Sequence, residues 1–299
     1  MEWPSGRIGV KRQSVKVVRT VKDLRKVVAG WRKVGDKVAL IPTMGALHDG
    51  HLQLVRAAQK KAPRTVTSIF VNPTQFAPHE DLARYPRDEA GDLAKLKTVD
   101  CDLVWAPGPA EMYPEGFATR VVPAGAAEGL ETDYRSHFFG GVATVCCKLF
   151  TQVGPDFAMF GEKDYQQLQV VRQMVRDLDL PLRIIGVPTI REKDGLAMSS
   201  RNKYLDESQR RIAPAIHHAI KQVADECAAL GAGRTTSKVA KLTDAAKARI
   251  TAAGFEKIDY VEVRDAETLK PFDPGSGRAL RVLAAAWLGK TRLIDNVAV

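Results

Sequence analysis

Long apolar runs are missing from this chain of 299 residues: nothing in it approaches the ~20 unbroken apolar residues that cross a bilayer. No membrane association is expected. The first residues, MEWPSGRIGVKRQSV, lack the apolar segment of a secretory signal, so the expected location is the cytoplasm. Cysteine is also scarce: Cys101, Cys146, Cys147 and Cys227 form no CxxC pair and no Cys/His spacing suited to a metal. They are read as reduced thiols that mostly pack, since a chain this long does not depend on disulfide staples. No internal repeat is visible, and no RNA-binding motif or interleaving of basic and aromatic residues accompanies the charge.

What the sequence has is enough apolar content, 45% of residues, to bury a sizeable core, and enough length for one larger and one smaller domain. The formal charge of +10 is uneven, with much of it in KRQSVKVVRTVKDLRK. The favoured reading is a solvated basic face plus a cleft for a small anion such as ATP; a basic nucleic-acid-binding protein is the remote alternative.

Residues 1–13 read as a loose tail. Beyond them strands are expected near 14–18, 37–41, 65–71, 101–107, 156–161 and 182–190, alternating with amphipathic helices at 21–33, 51–62, 81–99, 141–155 and 164–178. That alternation predicts an α/β fold, a Rossmann-like parallel sheet with helices on both faces, over residues 1–187. Past residue 188 the texture changes. A polar segment, EKDGLAMSSRNKYL, leads into Ala-rich helices at 208–230 and 237–252 and three strand-like segments, predicting a smaller C-terminal α+β domain with an antiparallel sheet over 188–299.

Four stretches carry chemistry. In PTMGALHDGH, residues 42–51, a strand feeds a helix, which puts His48 and His51 one turn apart beside the positive end of the helix dipole. Gly45 and Gly50 are expected to let a phosphate approach the backbone, and imidazoles can donate to oxygens that gain charge at phosphorus. Taken alone, two histidines at this spacing fit an ordinary surface helix equally well; a zinc site is not expected, because no third ligand is suitably spaced. HxGH is similar to the signature of adenylyl-transferring enzymes on Rossmann-like domains, and MSSRN at 198–202 stands where those enzymes place a mobile loop over the β- and γ-phosphates. Two hydroxyls and the Arg201 guanidinium suit pyrophosphate as a leaving group. SIFVNPTQF at 68–76 brings Asn72 and Gln75 to the carboxyl edge of the sheet, although an Asn-Pro turn explains it as simply. In FGEKDYQQL at 160–168, Lys163 is a candidate phosphate cation, Asp164 a ribose ligand or helix cap, and Gln167 follows on the same face; a capped, solvent-facing helix start is the plain alternative.

In their order and spacing, PTMGALHDGH, SIFVNPTQF with DLARYPRD after it, FGEKDYQQL and VPTIREKDGLAMSSRN resemble the successive signatures of the pantothenate synthetases (pantoate–β-alanine ligases), over about residues 15–299. The resemblance implies that ATP adenylates the pantoate carboxylate, releasing pyrophosphate, and that the β-alanine amine then displaces AMP. It also implies Mg²⁺ on the triphosphate and a homodimer through the larger domain; that the protein holds no metal of its own and binds no nucleic acid is expected from the residues themselves, which show neither a third-ligand spacing nor an RNA motif.

Residue by residue, the resemblance implies a catalytic set of His51 as proton donor with His48 and Lys163, and an ATP-binding turn of Met44, Gly45, Ala46, Leu47, His48, Asp49, Gly50 and His51. Gly161, Glu162, Lys163 and Asp164 would also hold ATP, Ile190 would touch it through the backbone, and Met198, Ser199, Ser200 and Arg201 would close over the phosphates. Gln75 and Gln167 would bind pantoate, with Asn72 supporting the pocket. One departure stands out: the family commonly shows Arg-Pro-Gly-His-Phe where this chain has YRSHFFGGVATV, so Arg135 and His137 are left out of the catalytic set. The nearest competing function is another adenylate-forming or nucleotidyl-transferring enzyme of the same superfamily.

Overall fold

Apolar strands buried on both sides set the architecture. The computed structural model describes residues 15–77 and 80–299, so the expected loose tail lies outside the described residues. Strands β1 (Lys16–Val18), β2 (Val38–Thr43), β3 (Arg64–Ile69), β4 (Leu103–Trp105), β5 (Phe157–Gly161) and β6 (Arg183–Val187) form one sheet in the order β1-β4-β3-β2-β5-β6, every pair parallel. In β2, Val38 and Leu40 face one core cluster while Ala39 and Ile41 face the other, so the run is apolar throughout.

The connecting helices cover the two faces. Helix α1 (Val21–Lys33), capped by the Thr20 hydroxyl, buries Leu24 and Val28 on the first face; α2 (Asp49–Gln59) and α3 (Glu89–Thr98) bury Leu52, Val55 and Leu96 on the second. Two short helices, α4 (Pro109–Met112) and α5 (Glu131–Tyr134), precede the apolar α6 (Phe138–Val153), which ends at Gly154 in the left-handed conformation. Helix α7 (Tyr165–Asp177) completes the first face with α1 and α6.

After β6 come α8 (Glu207–Ile212), α9 (Ala215–Leu230) and α10 (Thr236–Ala252), then an antiparallel sheet of β7 (Lys257–Asp265), β8 (Leu280–Leu288) and β9 (Thr291–Ala298). Val261, Val282, Ala284 and Leu293 meet α9 and α10 in a separate cluster, whereas Tyr260, Leu283 and Ala285 join the core of the larger sheet. The smaller sheet is thus sandwiched. The Tyr165 hydroxyl and the Gln169 amide both donate to the Ala266 carbonyl, adding a polar tie between the units.

Two expected helices are shorter than their patterns. Residues 81–99 hold only a 3-10 turn and α3, because Pro86 lies between them, and Pro214 divides 208–230 into α8 and α9. The short α4 and α5 carry too few residues to show a period.

Candidate active site

The chain runs β2-β3-β4 to one side of the sheet and places β5 and β6 on the other, so the topological switch lies between β2 and β5. Ligands of open parallel sheets settle at the carboxyl ends of strands at that point. The segments after β2, β3, β5 and β6, with the hairpin that reaches Ser200, enclose one cavity of about 540 Å³.

The turn after β2 explains its own glycines. Gly45 is left-handed, with φ of 82°, and a Cβ there would stand 3.0 Å from an Asp92 oxygen and 3.2 Å from Ile69. Buried Asp92, from α3, accepts 2.8 Å bonds from the Ala46 and Leu47 N–H groups, and Lys95 donates to the Leu47 carbonyl. Those two N–H groups are therefore occupied within the protein, and the turn is held from behind by a carboxylate. At Gly50 a Cβ would lie 2.8 and 2.9 Å from the His48 ring, so this glycine makes room for an imidazole rather than for a phosphate.

The histidines form a reciprocal cap on α2. His48 Nδ1 accepts from the Gly50 N–H at 3.1 Å and His51 Nδ1 from the His48 N–H at 3.3 Å, with ring centroids 4.1 Å apart. With both Nδ1 atoms accepting, each neutral ring carries its proton on Nε2. Burial and the Lys163 charge hold His48 down at about 4; burial, His48 and Lys163 hold His51 at about 3. At neutral pH both are uncharged donors.

After β5 the 3-10 turn Glu162–Asp164 presents Lys163, 3.7 Å from Asp164, to the cavity. The Glu162 side chain turns away to Arg281, at 3.3 Å. Beyond β6, Ile190 and Met198 are joined by a backbone bond and Arg191 bridges Ala197, making a hairpin fastened by two Arg191 bonds to Asp295. From its end Ser200 donates to the Ala46 carbonyl at 3.0 Å, and Arg201 makes two bonds to Asp81. Burial works against the Arg201 charge, and the Asp81 carboxylate more than restores it.

The third wall is the turn Pro73–Gln75. Asn72 is fully engaged: its amide donates to Gln75 Oε1 and the Gly141 carbonyl, and its oxygen accepts from Thr74 and Tyr113. It orients Gln75 rather than offering a free group. A Cβ on Gly141 would lie 2.4 Å from the Thr74 carbonyl oxygen, so α6 touches this turn directly. Arg135 reaches the cavity wall, clamping Glu80 by two bonds and donating to the Gln75 carbonyl, with Phe138 beneath its guanidinium; His137 does not line the cavity.

Met44, His48, Gly50, His51, Asn72 and Gln75 all line the cavity, as do Gly161, Lys163, Asp164, Gln167, Ile190, Met198, Ser199, Ser200 and Arg201. Gly45, Ala46 and Leu47 are buried behind it, Asp49 is exposed on α2, and Glu162 faces Arg281. Asp92, Arg281, Asp295 and Asn296, which hold these segments in place, were missed from the sequence because no local pattern joins them to the loops they support. Among the described residues no three His, Cys, Asp or Glu side chains converge as a metal site.

The family profile described as pantoate-beta-alanine ligase matches residues 16–298. The chain is 57% identical to the pantothenate synthetase of Mesorhizobium japonicum over 281 residues, covering 94% of this chain and 96% of that one. It is 54% identical to the Caulobacter vibrioides pantothenate synthetase over 285 residues, covering 95% and 98%. The solved pantothenate synthetase of Thermus thermophilus superposes with a TM-score of 0.86 at 44% identity, covering 95% and 99%. A Francisella tularensis pantoate-beta-alanine ligase, solved with beta-gamma ATP and beta-alanine, superposes with a TM-score of 0.78 at 31% identity, covering 95% and 98%.

Proposed function

This chain belongs to the pantoate-beta-alanine ligase family, and from that membership we infer that it joins pantoate to β-alanine at the expense of ATP. It is a ligase that forms a carbon–nitrogen bond. A pantoate carboxylate oxygen attacks the α-phosphorus, the bond to the β-phosphate breaks, and pyrophosphate leaves. The neutral β-alanine amine then attacks the acyl carbon of the pantoyl adenylate, AMP departs with the electron pair of the broken C–O bond, and the nitrogen releases one proton to solvent as the amide forms.

The observation that carries this reading is the convergence of two neutral imidazoles, Lys163 and the Met198–Arg201 segment on one cavity at the sheet's switch point. His48 and His51 act by donating through Nε2 to phosphate oxygens, stabilising charge as it develops; with such low ring values, His51 serves as a hydrogen-bond donor more than as a store of an acidic proton. Lys163 and Arg201 supply permanent positive charge. Gln75, held by Asn72, and Gln167, whose amide has no partner among the described residues, take the pantoate. Catalysis is then positioning plus electrostatics, without a protein nucleophile.

Mg²⁺ carried with the triphosphate would offset the phosphate charge, adding to what Lys163 and Arg201 supply. We further place the protein in the cytoplasm as a homodimer through the larger domain, with residues 188–299 as the second domain. Measuring AMP formation with pantoate, with and without β-alanine, tests the function: complete turnover requires both, and AMP appearing only with a different acid removes the substrate assignment.

A further inference from the structure

Lys163, the cation assigned to the nucleotide, sits in a turn of three residues, and a turn that short has little internal hydrogen bonding to fix it. Its support comes from the other sheet. Asn296, on β9 and 3% exposed, donates from Nδ2 to the Glu162 carbonyl at 2.9 Å and to the Lys163 carbonyl at 2.8 Å, while its Oδ1 accepts from Arg281 Nε at 2.7 Å. Arg281 lies over the Tyr165 ring at 4.0 Å and also reaches Glu162, closing the bracket around the turn. The next residue on the strand, Asp295, holds Arg191 and with it the hairpin that leads to Ser200 and Arg201.

We propose that Asn296 is a positioning residue of the nucleotide site, setting the backbone of Glu162 and Lys163 from the smaller sheet so that the Lys163 ammonium is presented to the phosphates; this rests on the ATP reading above. The chemistry demands a neutral amide. Two carbonyls need two donors and Arg281 needs an acceptor, and one carboxamide supplies all three. A carboxylate of the same shape puts one oxygen, with no hydrogen to donate, against both carbonyls, while the attraction of its other oxygen to Arg281 helps to keep the strand in place.

Calorimetric titration of ATP into the full chain, without pantoate, provides the test, using Asn296→Asp, Asn296→Ala, Lys163→Ala and the Lys163→Ala/Asn296→Ala double variant, each checked by thermal unfolding. Asn296→Asp and Asn296→Ala are expected to weaken ATP binding about tenfold, equivalent to ~1.4 kcal/mol. KM for ATP rises with it, while KM for β-alanine stays within about twofold. In the Lys163→Ala background, Asn296→Ala should change ATP affinity by less than about twofold, because its effect passes through the lysine. Wild-type ATP affinity in a folded Asn296 variant overturns the proposal, as does full additivity in the double variant. A loss of kcat with both KM values unchanged also overturns it, since that marks a smaller folded fraction. If Asn296→Asp does not fold, Asn296→Ala decides alone. Wild-type protein that takes up no ATP overturns the nucleotide reading itself, and the two failures are thereby distinguished.

Discussion

Replacing Gly50 by Ala separates the fold from the chemistry. The added methyl would stand 2.8 Å from His48 Cε1 and 2.9 Å from Nδ1, well inside the ~3.5–4.0 Å at which carbon atoms rest in contact. The ring has to move by roughly 1 Å or rotate away. Moving it weakens the Gly50 N–H to His48 Nδ1 cap, a loss of ~0.5–2 kcal/mol. Against that, alanine in place of glycine favours the helix by ~0.8–1.0 kcal/mol. The two nearly cancel, so the variant should fold with a melting temperature within a few degrees of wild type. Activity has no such compensation: a displaced imidazole no longer aims Nε2 at the phosphates, and loss of one oriented donor costs on the order of 100-fold in the charged step. Pantoate-dependent exchange of labelled pyrophosphate into ATP reports that half-reaction alone. A folded Gly50→Ala protein with exchange near wild type would refute the claim that this glycine exists to seat His48.

The same structure makes three further predictions. Gly141→Ala drives a methyl to 2.4 Å from the Thr74 carbonyl oxygen; overpacking of ~1–3 kcal/mol should appear in denaturant unfolding, and KM for pantoate should rise as the Gln75 turn is pushed. Asp92→Asn replaces an acceptor with an amide donor facing a turn N–H group, leaving at least one such group unpaired, at ~1–3 kcal/mol by chemical denaturation. For the histidines, folded values of about 4 and about 3 lie below the ordinary 6.5, so the unfolded chain binds more protons across that interval. Their contribution is present above about pH 6.5 and is lost as pH falls through about 4 and then 3. Thermal unfolding against pH should flatten over that range in a His48→Asn/His51→Asn variant, and an unchanged slope would count against it.

Much of this was legible in the sequence because it is local. The parallel sheet follows from buried strands alternating with amphipathic helices, and the antiparallel one from the last three apolar segments. The HDGH and GEKD stretches announced themselves by following apolar strands and opening helices. The supports were illegible, since each lies far away in sequence: Asp92 is 46 residues from Ala46, and Asn296 is 133 from Lys163. Arg135 is instructive, because its altered spacing set it aside, yet α6 approaches the Gln75 turn closely enough at Gly141 to bring the guanidinium to the cavity wall. Spacing along a helix start does not encode such an approach.

Ala46 shows how the smaller sheet is tied to the proposed site. Its N–H is held by Asp92 from α3, and its carbonyl accepts from Ser200 at the end of the hairpin. That hairpin is anchored through Arg191 to Asp295, beside the residue that holds the Lys163 turn. The turn before the histidines and the turn carrying the lysine are therefore fixed to the same strand by different routes. A displacement of β9 disturbs both together, whereas a change in α3 reaches only the histidine turn. A substitution that displaces the whole strand should therefore impair His48/His51 and Lys163 jointly, whereas Asn296→Ala, which removes only the route to the Lys163 turn, should act through the lysine, and a change at Asp92 should spare it.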